Sequence, residues 1–149
     1  MADYAACIGT TGKDTPIVIN NTNPPVTILP TGAFVPGTGL SFSALLDGLS
    51  NTFLVGEKHV PKGFETTAPW DCSIFDGHNF TCNTRCAGPG YPIALSRNDP
   101  RLLFGGLHPA QCLFAFADGA VRPVRNSADE FTLGLLAHRS DGLPAPADY

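Results

Sequence analysis

Charge is scarce in this sequence. Only 15% of its 149 residues are Asp, Glu, Lys or Arg, against roughly 25% in an average domain. The nine basic residues form no cluster and the formal net charge is -4. A phosphate backbone needs a concentrated basic surface, so nucleic acid is not an expected partner. Long apolar runs are also missing, and the opening "MADYAACIGTTGKD" has no basic segment ahead of an apolar one. Neither a signal peptide nor a membrane span is therefore expected here. There is no Gly-x-Ser-x-Gly elbow, no His-Glu-x-x-His run and no Gly-rich phosphate loop. Those patterns put a nucleophile, a catalytic metal or a phosphate cradle on display, and without them the sequence gives no reason to expect an enzyme.

Turn residues and apolar residues are plentiful. With 16 glycines, 14 prolines and a 43% apolar fraction, the chain is too apolar for a disordered segment and too interrupted for long helices. One globular domain over residues 1–149 is expected, with 143–149 as a loose, Pro-rich tail. The fold class is α+β and β-rich: an antiparallel sheet, one or two short helices and long loops.

The regular elements can be placed. Residues 1–15 are small and polar, with little periodicity. Two β-branched runs at 17–19 and 26–29 flank turn residues and read as a hairpin or part of a meander. Ser43 is positioned to cap a helical turn through Leu46, and a strand follows at 52–55. The strongest strand is 111–117, apolar on both faces, as in a strand covered on both sides. Asp118-Gly119 then suits a two-residue type I′ turn, and 120–125 returns. Pro123 puts that return strand at an edge or beside a bulge. Ser127 and Glu130 have the spacing of a capping box for a helix to about His138.

Chemistry can be weighed residue by residue. Nine residues lie between His108 and Asp118 in "HPAQCLFAFADG", a strand with marked ends. A strand of seven residues is over about 20 Å long, so the two cannot form a dyad. His108 is expected to bond nearby loop backbone, and Asp118 its own turn. Asp47, Gly48, Ser50, Asn51 and Glu57 in "LLDGLSNTFLVGEK" read as a turn network; calcium, which takes six to eight oxygens, would find no EF-hand spacing there. Cys72, Cys82 and Cys86, with His78 among them, match a zinc knuckle poorly and are candidates for a disulfide. Cys112 reads as a buried, inert thiol. Asn20 and Asn79 lie in glycosylation sequons. Residues 61–101 are irregular enough to require pinning by disulfides, aromatic packing or function. Trp70, Phe80 and Tyr91 there are candidate contacts for a polysaccharide.

Five blocks occur in order: "DYAACIG", "LLDGLSNTFLVGEKH", "AGPGYP" with "NDP", "FGGLHPAQCLFAFADGAVR" and "LGLLAHRSDG". Together they resemble the planctomycete pseudopilin-like family whose C-terminal segment is the prepilin-type processing-associated His-x9-Asp-Gly domain. His108, Asp118 and Gly119 match that motif, and the resemblance covers most of residues 3–142. It implies a pilin-like globular head placed outside the cytoplasm, at the cell surface or in the periplasm. It implies a structural, non-catalytic role in a pilus-like or type II secretion-like assembly, with other copies or related pseudopilins as partners. No cofactor follows from it, although calcium is bound by some pseudopilins elsewhere. Family members carry an N-terminal leader and a long hydrophobic helix. Neither precedes "DYAACIG" here, so the expectation is a head without that helix, which would be its only contact with a membrane. The alternative expectation is an extracytoplasmic module that binds a polysaccharide or other solute through the loops at 61–101.

Overall fold

A computed structural model describes residues 3–10, 17–19, 26–28, 30–75 and 80–149, with 17–19 and 26–28 described by backbone alone. The strands are β1 (Tyr4–Gly9), β2 (Ile17–Ile19), β3 (Val26–Ile28), β4 (Phe53–Glu57), β5 (Thr84–Cys86), β6 (Gln111–Phe116) and β7 (Val121–Arg125); the helix α1 spans Glu130–Ala137. Five strands form one sheet in the order β5-β1-β4-β6-β7, and β2 pairs with β3. The fold is thus β-rich α+β, as expected. The sheet is mixed rather than wholly antiparallel, because β5 runs parallel to β1. The β2–β3 pair is antiparallel, with Ile17 opposite Ile28. Its turn at 20–25, the sequon residues Asn20 and Asn79, and His78 lie outside the described residues.

The core lies on one side of the sheet. Cys112, Phe114 and Phe116 alternate along β6 and are fully buried there. The Phe114 ring stacks on Phe53 at 4.1 Å and meets Phe104 edge-on at 5.0 Å. Helix α1 closes this side with Leu133, Leu136 and Ala137. On the other side of β6, Leu113 and Ala115 are partly exposed. The strand is therefore covered on one face, not on both.

β1 shows why small residues hide a strand. Ala5 and Cys7 face the core while Tyr4 and Ala6 face away, but a run of Ala, Ala and Cys displays almost no alternation in hydropathy. Their smallness has a cause: α1 packs directly over them, with the Cys7 Sγ 3.9 Å from the Ala137 carbonyl oxygen.

Three local expectations are corrected. The β6–β7 turn is not type I′, which needs positive φ at both central residues. Among the turn residues only Gly119 has a positive φ, at 85°. Gly119 N–H donates to the Phe116 carbonyl and Phe116 N–H to the Ala120 carbonyl, a three-residue loop with a bulge at glycine. The cap of α1 is Asp129, whose side chain accepts the Thr132 N–H at 2.9 Å. Ser127 therefore plays no capping part, and Glu130 accepts the Gly90 N–H instead. Ser43 likewise caps nothing; it lies inside a 3-10 turn, Phe42–Ala44, and its hydroxyl pairs with that of Ser41.

Pro123 falls on the edge strand at a position where it costs no ladder bond. Phe116 pairs with Ala120, and Asn126 N–H donates to the Ala110 carbonyl. Antiparallel pairs alternate between bonded and non-bonded, so Pro123, opposite Leu113, is non-bonded and its missing N–H would have pointed outward. A second strand cannot extend the sheet cleanly there. The irregular tail ends with Tyr149 stacked on Phe116 at 5.9 Å.

Candidate functional site

The register of β4 against β6 brings two sequence blocks together. Gly56 lies opposite Phe114, so the next residue, Glu57, reaches the start of β6. Its Oε2 accepts the Leu113 N–H at 2.7 Å, and its Oε1 lies 3.0 Å from the His108 Nε2. His108 thus pairs with a carboxylate fifty-one positions away, not with loop backbone. A glycine packs closely against this pair. A Cβ on Gly106 would collide with the Glu57 carboxylate itself, while Gly105 N–H donates to the Glu57 carbonyl. Gly106→Ala is therefore expected to displace Glu57 and cost about 1–3 kcal/mol, the usual range for overpacking. A thermal melt checks this, and an unchanged midpoint would remove Gly106 from the account.

The Glu57–His108 pair lines a cleft of about 650 Å³, with Asp3, Arg97 and Asn126 around it and Leu95 and Leu107 at its mouth. The Asn126 Oδ1 is buried and has no hydrogen-bond partner. Ala110, in the cleft wall, is held at φ 63°, a left-handed conformation that costs a non-glycine residue about 1–2 kcal/mol. No activated nucleophile accompanies the histidine among these residues. Burial, and the nearby Glu57 charge, push the Cys112 thiol up to about 12, so it stays protonated and inert at neutral pH. Iodoacetamide at pH 8 is expected to leave Cys112 unmodified in the native chain and to label it after denaturation. Rapid native labelling, read by peptide mass spectrometry, would contradict this.

The other end of β6 meets the other end of the β4 block. Asp118 N–H donates to the Leu49 carbonyl, and Ala117 N–H to the Thr52 carbonyl. The Asp118 side chain accepts the Ala120 N–H and pairs with Arg122, which also reaches the Ser50 carbonyl. The Ala120 N–H foremost, and then Arg122, hold the Asp118 carboxyl below its ordinary value against the opposing effect of desolvation. Asp47 binds the segment after α1: its two carboxylate oxygens accept the Asp141 and Gly142 N–H groups, each at 2.8 Å. Asn51 donates to the Asp47 carbonyl, and Gly48 turns the chain at φ 96°. Asp47, His138 and Asp141 lie close enough to share a cation. However, the Asp47 oxygens are already engaged, and the His138 Nδ1 accepts the Ser140 N–H. This is a hydrogen-bonded joint. His108 and Asp118 thus mark opposite ends of β6, and each is pinned to the matching end of the β4 block.

The cysteine-rich stretch resolves as a Cys72–Cys82 disulfide with a Cα separation of 5.4 Å. Cys86 lies outside it, buried in β5. The three aromatic candidates line no common cleft. Trp70 packs on Phe64 at 4.3 Å and donates its indole N–H to the Pro100 carbonyl. Phe80 borders a small apolar groove with Phe34 and Ile74, and Tyr91 exchanges backbone bonds with Gly88. The residues that sequence reasoning missed are charged. Lys58, Asp71 and Arg85 are all buried and tie the irregular segments together. Their only signal was rarity: a chain this poor in charge placed all three in or beside its least regular stretch.

A family model described as "Protein of unknown function (DUF1559)", SBP_bac_10, matches residues 10–130 of the chain. No curated protein and no solved structure matches it.

Proposed function

Because the chain belongs to the DUF1559 family of proteins of unknown function, we propose that it serves as a structural head of a pseudopilin-like assembly outside the cytoplasm. The supporting observation is the sheet face turned away from the core. Ala6 pairs with Val55, Val55 with Ala115, and Ala115 with Val121, giving an apolar row across four strands. Tyr4, Leu113 and Pro123 flank it, and every member of the set is at least partly exposed. A contiguous apolar surface of this kind suits contact with another protein, here other copies or related heads. Pro123 blunts edge-to-edge pairing, so association would run through the face. The motif residues fit the same reading, since their polar atoms are engaged within the head: Glu57 and His108 pair at the start of β6, Asp118 closes the β6–β7 turn, and Asp47 holds the segment after α1. The disulfide fits an oxidising compartment, and among the described residues no helix is long and apolar enough to cross a membrane.

Cysteine cross-linking in the producing cells tests this. Val121→Cys, on the face, is expected to yield covalent dimers and higher species under mild oxidation. Ser127→Cys, exposed but away from the face, is expected to stay monomeric. Monomer alone from both variants would sink the proposal.

A further inference from the structure

We infer that Phe75 of one copy inserts into the apolar groove beside β1 of a second copy, and that the second copy returns the same contact. The inference rests on assembly through the sheet face and names the anchor that aligns two copies there. The groove is formed by Ala6 and Ile8 of β1 with Phe34, Val35, Ile74 and Phe80. Ala6 also begins the apolar row Ala6–Val55–Ala115–Val121, so groove and face are one continuous surface. Among the described residues no charged side chain lines the groove. Its floor is closed by Ile8 and Val35, both buried, and its lips are open, with Phe34 41% and Ile74 62% exposed. The volume is about 250 Å³, below the roughly 300–1,000 Å³ of small-molecule sites. It suits an inserted apolar side chain rather than a free ligand.

The side chain to fill it stands next to it. Phe75 is 93% exposed, so its ring is outside its own groove although its neighbour Ile74 lines that groove. The Cys72–Cys82 disulfide closes the loop that carries both. Asn83, in the groove wall, donates its side-chain amide to the Ser73 carbonyl, and the Ser73 hydroxyl accepts the Phe75 N–H at 3.3 Å. The base of the loop is thus fixed to the groove while the ring stands clear. A held side chain has less freedom to lose on binding, and aromatic anchors in pockets carry much of the energy of an interface. Knob and groove lie side by side, so one two-fold rotation that brings two sheet faces together inserts both rings at once. Such self-complementarity is what an isologous contact requires, and it commits the occupant to a second copy; an unrelated partner would use only the knob or only the groove. With the rotation axis along the row, each row residue faces its own counterpart, Val121 included.

The test uses the full chain with photoreactive p-benzoyl-phenylalanine in place of Phe75, irradiated in the producing cells, and maps the adducts by peptide mass spectrometry. Covalent dimers are expected, with adducts on the groove residues Ile8, Phe34 and Phe80. Phe75→Ser, at an exposed position where folding is not at stake, is expected to lower the cross-linking of Val121→Cys at least about tenfold, as loss of an aromatic anchor does. Adducts confined to one chain, or to another protein alone, would overturn the inference. Val121→Cys dimers undiminished by Phe75→Ser would also overturn it, and would leave the reading of the sheet face intact. Groove adducts in covalent dimers with no dimer from Val121→Cys would do the reverse, keeping the anchor and sinking the face.

Discussion

Arg85→Met is expected to cost more than about 4 kcal/mol, enough to leave the chain largely unfolded if its total stability lies in the usual range of about 5–15 kcal/mol. The guanidinium is 1% exposed, and all five of its N–H groups are used. Nε donates to Leu103, one terminal nitrogen to Thr81 and Thr84, and the other to Trp70 and His59, every acceptor being a backbone carbonyl. Those carbonyls come from strand β5, from the 3-10 turn before it and from three irregular segments. The Leu103 carbonyl alone keeps a second donor, the His59 N–H. Without the guanidinium the others would lose a buried donor, at about 1–3 kcal/mol apiece, with partial relief as water enters. Burial lowers the Arg85 pKa to about 10, still far above neutrality, so the group remains charged at pH 7. Arg85→Lys is expected to restore only part of the loss, because an ammonium has three donors and no fork. Urea unfolding followed by Trp70 fluorescence reads both variants. An unchanged midpoint for Arg85→Met would refute the role given to this residue.

Arg85 also shows where sequence reasoning stops. β4, β6 and β7 were legible because they are short apolar or β-branched runs whose ends carry Asp, Gly and Pro. The separation of His108 from Asp118 was legible because strand geometry sets a length. What bonds each end was not. Glu57 meets His108 only through the antiparallel register of β4 and β6, a tertiary fact with no local trace. β1 escaped because a helix above it demands Ala and Cys, residues that carry little pattern. Lys58, Asp71 and Arg85 escaped for the opposite reason: a charged residue in an irregular segment normally faces water. The disulfide trio was visible, but choosing Cys72–Cys82 over the other pairs depended on where the 3-10 turn at Phe80–Cys82 and strand β5 place Cys82 and Cys86.

Asp71→Leu should cost about 3–5 kcal/mol on its own, and much of that loss should be regained when Lys58→Met is added. The Lys58 Nζ lies 3.0 Å from the Asp71 Oδ1, with side-chain exposures of 0% and 3%. It also donates to the Cys82 carbonyl, while the Asp71 Oδ2 accepts the Thr66 N–H. Removing one member of such a pair strands a buried charge, whereas replacing both with apolar groups is often nearly neutral. Burial pushes the Asp71 carboxyl upward, but the Thr66 N–H and the Lys58 ammonium outweigh it and hold the carboxyl below its ordinary 3.8. A depressed carboxylate contributes stability that is present above its unfolded value and lost as pH falls through the folded one. Acid denaturation below pH 4 should therefore be less steep in the double variant. The pair also spans the disulfide, since Asp71 precedes Cys72 and Lys58 holds the carbonyl of Cys82. Two ties thus close the same ten-residue separation, and a loop of that size is worth roughly 3 kcal/mol when cross-linked. Reduction alone should leave the native fold standing on the charge pair. Reduction of Asp71→Leu should release the segment and expose Cys72 and Cys82 to alkylation. Equal alkylation of reduced wild type and reduced Asp71→Leu would show that the charge pair does not share the work of the disulfide.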